Sequence, residues 1–405
     1  MIVMHLSILE RYQGFMKRPE KINRSIYGIA LVLIFALSAP VVGTVVAQGG
    51  PGSAAVVFLK IEPDSRAAGM GNAGVALADN ASAIFWNPAG LAFQTGTEAA
   101  ITHSEWLPEF DAGLYYEYLV AKHHLPGWGT IGAHLTYLNL GKHEGRDEQN
   151  NPTGTFNSYD MALGLSYGFK VTKRFALGTS LRFIYSNLAP GQIVGAQKTK
   201  AGVSTAFDLA GLYRMKPFNL GNALGSLSLG FNLANMGPKI QYSDNAQADP
   251  IPTNFRFGWA FTIDFDEYNS LTWVTDFNKD LIHSSRNDST GVKYDPFYRA
   301  IFSSWTSFQV PNGPIGDEDT TFDTVSVLEQ LTIGTGIEYW YDQLLALRAG
   351  YFYENPNNGN RQFLTLGAGV RYNIIGVDFS YIYALEEESP LAGTMRFSLL
   401  LNFTR

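Results

Sequence analysis

The sequence predicts an all-β fold, a transmembrane antiparallel up-and-down β-barrel of about 14 strands with an N-terminal hatch or plug segment. Three observations lead to this prediction. Large apolar residues alternate with small or polar ones over stretches of about ten residues, the length that a tilted strand needs to cross a bilayer core. Long and short connections alternate between these stretches. Charged residues fall in the polar register of the stretches.

The composition agrees with an exported membrane protein. Aromatic residues make up 14% of the 405 residues and charged residues 16%, whereas roughly a quarter of a typical soluble domain is charged. The chain has no cysteine, so it has neither a disulfide nor a thiolate metal site. A net charge of −7, without a basic cluster in the mature chain, argues against nucleic acid as a partner. We expect no cofactor and no metal site.

The N-terminus has the features of a secretory signal peptide, predicted for residues 1–47. Basic residues precede an apolar run at 26–37, and the segment ends on the small residue Ala47. Met16 is an alternative start, which would place residues 1–15 upstream of the protein. An uncleaved membrane anchor is the alternative to a cleaved signal.

The rest of the chain divides into a hatch and a barrel. Residues 48–93 are rich in Gly, Ala, Asn and Asp and lack the alternation, which indicates a hatch or plug. Residues 94–405 are the predicted barrel, because they can be written as paired strands. The strands are predicted at residues 97–106, 113–123, 129–140, 159–170, 175–187, 202–215, 226–235, 253–265, 270–277, 330–340, 344–354, 362–372, 376–385 and 393–404.

The lengths of the connections support a barrel independently. When both termini lie in the periplasm, the outward connections of an outer-membrane barrel are the longer ones. Two connections depart from this rule, because 107–112 is short for an outward loop and 216–225 is long for an inward turn. The predicted outward loops are 141–157, 188–201, 236–252 and 278–329, and the predicted inward turns are 171–174, 266–269, 341–343 and 373–375.

Charged residues of the strands are predicted to face the lumen. An arginine on the lipid face costs roughly 2–4 kcal/mol near the midplane, so an inward position is expected. Both signs are present, which allows cross-strand pairing. These charges form either a selective pore or relay, or a paired filler that holds the barrel. They are Asp160, Arg182, Asp208, Arg214, Arg256, Asp264, Asp276, Glu338, Arg348, Arg371, Asp378 and Arg396.

Two patterns suggest chemistry, and neither predicts an enzyme. Residues 69–74 match the G-x-G-x-x-G spacing of dinucleotide sites, but such a site needs an acidic residue about twenty positions later, and none stands there. The glycines instead indicate close backbone packing. His134 lies in the inward register, where a serine–histidine pair would make a surface acyl hydrolase. No serine can be paired with it from the sequence.

The outward segment 278–329 is the longest predicted loop, and loops of this length are usually functional or disordered. Its aromatic residues recur at steps of three and four, which predicts an amphipathic helix. This helix either folds back as a plug or on the rim, or forms a partner-binding surface. The nearby triplet 317–319 is an acidic turn or, alternatively, a calcium loop. The proposed partner-binding residues are Tyr294, Phe297, Tyr298, Ile301, Phe302, Trp305 and Phe308.

Several segments resemble a known family of outer-membrane proteins. FLKIEPDSRAAGMG at 58–71 resembles the start of mature proteins of the PorV/PorQ group, which is itself similar to FadL-type barrels. FWNPAGL at 85–91 resembles the hatch motif of FadL-like proteins, here Trp86, Asn87, Pro88, Ala89 and Gly90. Further similar segments are IPTNFRFG at 251–258, LRAGYF at 347–352, FLTLGAG at 363–369 and MRFSL at 395–399.

The resemblance implies a 14-stranded outer-membrane barrel of type IX protein secretion in the Bacteroidota and their relatives. Proteins of this group are shuttles without enzymatic activity, so no catalytic residues are implied. They associate with the giant translocon barrel, bind the C-terminal signal domain of exported cargo and deliver it to the surface sortase and attachment complex. The alternative function is a FadL-like importer of hydrophobic small molecules, with residues 69–91 as its hatch.

Overall fold

The computed structural model describes residues 54–146, 151–194, 197–243, 248–287, 291–312, 321–386 and 389–403. The predicted signal peptide at 1–47 and the acidic triplet at 317–319 lie outside these residues. No helix in the described part of the chain is long and apolar enough to cross a bilayer.

Fourteen long strands within the described ranges form one closed antiparallel sheet, so the predicted fold class is confirmed. Each strand pairs with the next one, and the first closes the ring against the last, from Glu98 opposite Asn402 to Ser104 opposite Arg396. The strands are β1 (Thr97–Glu105), β2 (Tyr115–Leu125), β3 (Gly129–Arg146), β4 (Pro152–Lys170), β5 (Phe175–Asn187), β6 (Gly202–Arg214), β7 (Ala223–Met236), β8 (Asn254–Asp264), β9 (Asn269–Asp280), β10 (Thr332–Tyr341), β11 (Leu345–Tyr353), β12 (Gln362–Tyr372), β13 (Ile375–Ala384) and β14 (Met395–Asn402).

The apolar register of the strands faces outward. In β4, Leu163 and Leu165 are 54% and 64% exposed, whereas their neighbours Ala162 and Ser166 are 1% and 5% exposed. A soluble protein would bury the leucines and expose the serine. A barrel surrounded by lipid requires the opposite arrangement, which is the one found here.

Aromatic side chains mark both edges of this apolar surface. Near the outward end, four tyrosines of β2 to β5 form a row with ring centroids 6.2, 5.6 and 6.0 Å apart. Amphipathic rings of this kind favour the boundary between hydrocarbon and water. The row consists of Tyr115, Tyr137, Tyr159 and Tyr185, and the exposed aromatics at the inward turns include Trp128, Tyr268, Tyr341 and Tyr372.

The structure corrects three of the predicted outward loops, of which 188–201 contains a short hairpin joining Ile193–Val194 to Gln197–Lys198. The predicted loop 141–157 is largely strand, because β3 continues to Arg146 and β4 begins at Pro152. The segment 278–329 contains two hairpins, one joining Ser284–Asn287 to Gly291–Tyr294 and one joining Phe308–Asn312 to Thr321–Val325. These strands have four or five residues each, too few to show a clear alternation in the sequence.

Residues 54–93, which we call the N-terminal segment, pack against the inner wall of the barrel. They form the short helices α1 (Ser65–Ala68) and α2 (Ala83–Trp86) and the 3-10 turns Val57–Lys60 and Pro88–Phe93. Most of their side chains are buried. The third helix, α3 (Phe297–Ser303), belongs to the outward segment between β9 and β10.

Candidate functional site

The first candidate region is the lumen, where Asp64 ties the two short helices of the N-terminal segment together. Its Oδ1 accepts a hydrogen bond from the Ala67 backbone N–H at 2.7 Å, which caps α1. Its Oδ2 accepts one from Trp86 Nε1, also at 2.7 Å. Burial raises the pKa of Asp64, and the two hydrogen bonds act in the opposite direction.

The hatch motif fixes the second half of the N-terminal segment to the wall. Asn87 Nδ2 donates to Val75 O at 2.8 Å and to Gly211 O of β6 at 3.0 Å. Its Oδ1 accepts from the Ala89 backbone N–H at 3.1 Å, at the start of the 3-10 turn. Asn232 of β7 donates to Trp86 O at 3.1 Å. The five motif residues Trp86, Asn87, Pro88, Ala89 and Gly90 are all buried.

Glycines allow the N-terminal segment to lie directly on the strands. A Cβ on Gly350 of β11 would lie 2.1 Å from Gly71 N, and one on Gly336 of β10 would lie 2.6 Å from Met70 Cα. Gly71 also has a φ of +68°, which side-chain-bearing residues rarely adopt. The G-x-G-x-x-G pattern therefore serves close backbone approach, as the sequence indicated.

Replacing Gly350 by alanine is expected to displace the N-terminal segment and to lower the free energy of unfolding by about 1–3 kcal/mol, because the new methyl group overlaps backbone atoms that cannot move alone. Urea unfolding in lipid vesicles and proteolysis of the N-terminal segment measure the two effects. Gly367→Ala is the milder comparison at the same interface, since its Cβ would lie 3.1 Å from Phe379 O and 3.2 Å from Gly69 Cα, contacts that a small shift relieves, so it should lose less stability. Equal stability and equal protease resistance in both variants would contradict the packing argument.

A chain of buried ion pairs joins the N-terminal segment to β10 through β13. Arg66 Nε and Nη2 each donate to Glu338 at 2.7 Å. The same carboxylate accepts from Arg348 Nε at 2.7 Å, and Arg348 Nη1 reaches Asp378 Oδ1 at 2.8 Å. Arg371 adds a further pair to Asp378. The network therefore neutralises several charges that the lumen buries.

Most of the remaining predicted lumenal charges also contact neighbours inside the barrel, and Asp264 and Arg396 are the exceptions. Arg182 pairs with Asp208 at 2.6 Å, and Asp208 accepts from the Asn235 backbone N–H at 2.8 Å, where β7 forms a bulge. Asp264 ends β8 beside an inward turn and is exposed to solvent, where a charge costs little. Arg396 is buried, and its Nε and Nη1 have no hydrogen-bond partner among the described residues.

The other four charges have partners. Asp276 accepts hydrogen bonds from the Gly74 and Val75 backbone N–H groups, and Asp160 accepts one from Ser186. Arg256 stacks on Phe85, and Arg214 stacks on Phe93.

The second candidate region is the outward rim, where the helix is shorter than predicted. Tyr294 and Phe308 lie in hairpin strands, and Trp305 follows the helix. Pro296 at the N-cap explains the late start, because the residue before a proline avoids the helical conformation. The predicted helix over all seven aromatic and aliphatic positions is therefore wrong.

The helix α3 lies against the outer wall and not inside the lumen. Phe297 packs on Phe207 of β6 with ring centroids 5.9 Å apart, and Trp305 packs on Phe255 of β8 at 6.2 Å. Both partners belong to the outward-facing register of their strands. Tyr298 and Phe302 are 63% and 79% exposed, and Ile301 is partly buried.

An apolar groove of about 740 Å³ opens at the outward end beside the β3–β4 hairpin. The sequence reasoning missed it, because extended strands form one side where a loop was predicted. The lining residues include Leu114, Leu140, His143, Phe156 and Leu188.

The family model for the type IX secretion system protein PorV matches residues 50–287 of the chain. The chain belongs to the PorV family. The match covers the described N-terminal segment and β1 through β9, and it ends before α3. With its closed barrel, this PorV-family protein is an outer-membrane protein of type IX secretion.

Solved structures of hydrocarbon channels give more distant similarities. The Ralstonia pickettii toluene transporter TbuX is 12% identical, with 85% of this chain and 99% of that chain covered and a TM-score of 0.43. The P. putida toluene transporter TodX is 12% identical, with coverages of 85% and 100% and a TM-score of 0.47. A Pseudomonas aeruginosa FadL homologue is 12% identical, with coverages of 84% and 98% and a TM-score of 0.39. These similarities are too low to support an argument about function, and no curated protein matches the chain.

Proposed function

We propose that this PorV-family protein binds the C-terminal signal domain of exported cargo at the giant translocon barrel and carries it to the surface attachment complex. The family match over the N-terminal segment and nine barrel strands is the observation that carries this proposal. The protein would act by binding and release, without catalysis. Among the described residues, no group of three or more His, Cys, Asp or Glu side chains could hold a metal ion.

The exposed face of α3 is the first proposed contact for cargo. Tyr298 and Phe302 project from a helix that Phe297 and Trp305 hold against the wall. Aromatic residues are enriched at the cores of protein interfaces, where they bury large areas. A helix that is already fixed loses little conformational entropy when a partner binds. This favours partner binding over a plug as the role of the helix.

The groove beside the β3–β4 hairpin is the second proposed contact. Its apolar lining, with Leu114 and Phe156, suits an apolar patch of a partner protein better than a charged peptide. The described parts of the predicted outward loops 141–157 and 236–252, which are residues 141–146, 151–157, 236–243 and 248–252, adjoin the outward ends of their strands and are further proposed contacts. The lipid-facing wall would anchor the protein while it diffuses in the plane of the membrane.

The lumen supports a structural role for the charges and does not favour an importer of hydrophobic molecules. Glu338 and Asp378 form ion pairs with Arg66 and Arg348, so these charges are neutralised, as expected for a filler that holds the N-terminal segment. At the bulge in β7, Asp208 forms an ion pair with Arg182 and accepts a hydrogen bond from the Asn235 backbone N–H. A hydrophobic solute would have to replace these polar contacts along a lumenal route.

The double variant Tyr298→Ala with Phe302→Ala is expected to capture a purified cargo signal domain about fivefold less well, because each truncated aromatic removes apolar contact area. Pull-down from detergent-solubilised outer membranes, with mass spectrometry of the bound proteins, measures this. Tyr372→Ala is the control, since Tyr372 is an equally exposed aromatic at an inward turn.

Unchanged capture by the double variant would remove α3 from the contact surface. If the unaltered protein recovered neither a very large barrel nor proteins sharing a C-terminal domain, the shuttle proposal itself would fail.

A further inference from the structure

A small cavity at the outward end of the lumen is not explained by cargo binding. Its volume is about 60 Å³, and it lies between the N-terminal segment, the ends of β8 and β9, and the outward segment that carries α3. Trp86 lines it from the N-terminal segment, Phe308 from the outward segment and Phe352 from β11. It is thus bounded by parts of the chain that are far apart in sequence.

Five buried polar atoms in the cavity wall have no hydrogen-bond partner among the described residues. A buried polar group without a partner costs free energy, and most such groups in folded proteins are paired with protein or with a bound molecule. Several in one small cavity indicate that their hydrogen bonds are completed by a molecule that enters it. The atoms are Asn72 Oδ1, Arg256 Nη1, Asn278 Oδ1, Ser304 Oγ and Asn358 Oδ1.

Four of the charged residues in the cavity wall form two ion pairs with one another. Lys60 pairs with Asp280 at 2.5 Å, and Arg361 pairs with Glu354 at 2.6 Å. Arg256 is stacked on the Phe85 ring at 4.4 Å, and its Nε donates to a neutral amide oxygen at 2.9 Å. Lys279 donates to the neutral amide oxygen of Gln330, and Glu62 also lines the cavity without an ion pair among the described residues. The groups that remain for a ligand are therefore three amide oxygens, one hydroxyl and one guanidinium N–H, beside these two charged side chains.

The combination of hydrogen-bond donors and acceptors in the cavity wall limits the chemical class of the ligand. A metal cation uses acceptors only, and it would be repelled by Arg256 and Lys279 in the same wall. An anion uses donors only, so it would face the amide oxygens unfavourably. A hydroxyl group both donates and accepts, which suits amides, a serine and a guanidinium together.

We propose that the cavity binds a small neutral polyol. A water needs roughly 10–15 Å³ of such a cavity, so the space corresponds to a ligand of about the size of glycerol or erythritol. The aromatic rings in the wall would cover the C–H groups of the ligand, while the unpaired polar atoms hold its hydroxyls.

The full-length protein in detergent micelles should bind erythritol saturably, as measured by ligand-observed NMR titration. Asn278→Leu replaces an amide in the cavity by a side chain of similar size and should weaken binding about tenfold, the equivalent of one good hydrogen bond. Ser304→Val changes a second wall residue and should weaken it in the same direction. Asn219→Leu makes the same substitution as the first variant in the exposed short strand Phe218–Leu220, at the inward end of the barrel, and should leave binding unchanged.

A second probe separates hydroxyl recognition from filling of space. The compound 1,2-dimethoxyethane has a similar size and no hydroxyl group, so it should not compete with erythritol. Heat-modifiable migration on gels checks that each barrel is folded, and Ser304→Val decides the question if Asn278→Leu does not fold. Three outcomes would each overturn the proposal. The NMR signals could change without saturation and equally in all variants. The hydroxyl-free probe could bind as well as erythritol, or both cavity substitutions could leave the binding of erythritol unchanged.

Discussion

Replacing Glu338 by glutamine is expected to lower the free energy of unfolding by about 3–5 kcal/mol, because the change removes a buried carboxylate that two arginines share and leaves the network with one surplus positive charge. Arg66 then keeps only Asp79 as an ion-pair partner, and Arg348 keeps only Asp378. Glu338 accepts hydrogen bonds from Arg66 and Arg348 at 2.7 Å, and both guanidinium groups lie inside the barrel. Glutamine keeps the shape of the side chain, so the loss of stability is caused by the removal of the charge and not by a cavity. The N-terminal segment should also become easier to cleave, because Arg66 is one of its ties to the wall.

Equilibrium urea unfolding in lipid vesicles measures this loss, and Glu144→Gln is the matched control. Glu144 pairs with Arg146 at 2.8 Å, but both side chains are about half exposed. Exposed pairs are screened by water, so the control should lose less than about 1 kcal/mol. Similar losses in the two variants would show that the buried network contributes no more than a surface ion pair.

Replacing Leu163 by arginine is expected to destabilise the inserted barrel by about 2–4 kcal/mol, because the charge would lie near the middle of the bilayer. Leu163 is 54% exposed, and on β4 it stands midway between Tyr159 and Tyr167. Those tyrosines face the same side of the strand, so the leucine between them is the position farthest from water.

Leu328→Arg is the control for this substitution. Leu328 is 78% exposed, and it lies in the outward segment beyond the ends of the strands. Unfolding in lipid vesicles should show a lower free energy of unfolding for Leu163→Arg and an unchanged one for Leu328→Arg. If both variants were equally stable, the exposed leucines of β4 would not face hydrocarbon.

The sequence predicted the barrel because each spanning strand repeats one physical rule, with apolar side chains toward lipid and small or polar ones inward. In β5 this rule is followed almost without interruption, and the predicted bounds 175–187 are confirmed. For β4 the end at Lys170 was predicted correctly, but the strand begins at Pro152 and not at residue 159. Beyond the bilayer the rule no longer applies, since both faces of a strand meet water. The extension of β3 to Arg146 and the hairpin of Phe308–Asn312 with Thr321–Val325 therefore could not be predicted.

The sequence predicted which residues face the lumen, but it did not predict their individual contacts. The charges could be assigned to the inward register, yet which arginine meets which carboxylate depends on the pairing of strands and on where the N-terminal segment rests. Glu338 faces Arg348 across β10 and β11, but its bonds to Arg66 join residues 272 positions apart. Asp264 was misplaced because a register does not tell where the membrane ends. The cavity around Asn278 required coordinates, since single asparagines carry no pattern.

The ring is completed by the pairing of β1 with β14, which brings Glu98 opposite Asn402, 304 positions later in the chain. Until the C-terminal strand arrives, β1 presents a row of unpaired backbone donors and acceptors, which hydrocarbon cannot accommodate. A nascent or truncated chain is therefore unable to reside stably in the bilayer. Insertion must follow the completion of synthesis, and the finished polypeptide needs an escort that keeps it unaggregated during its passage through the periplasm.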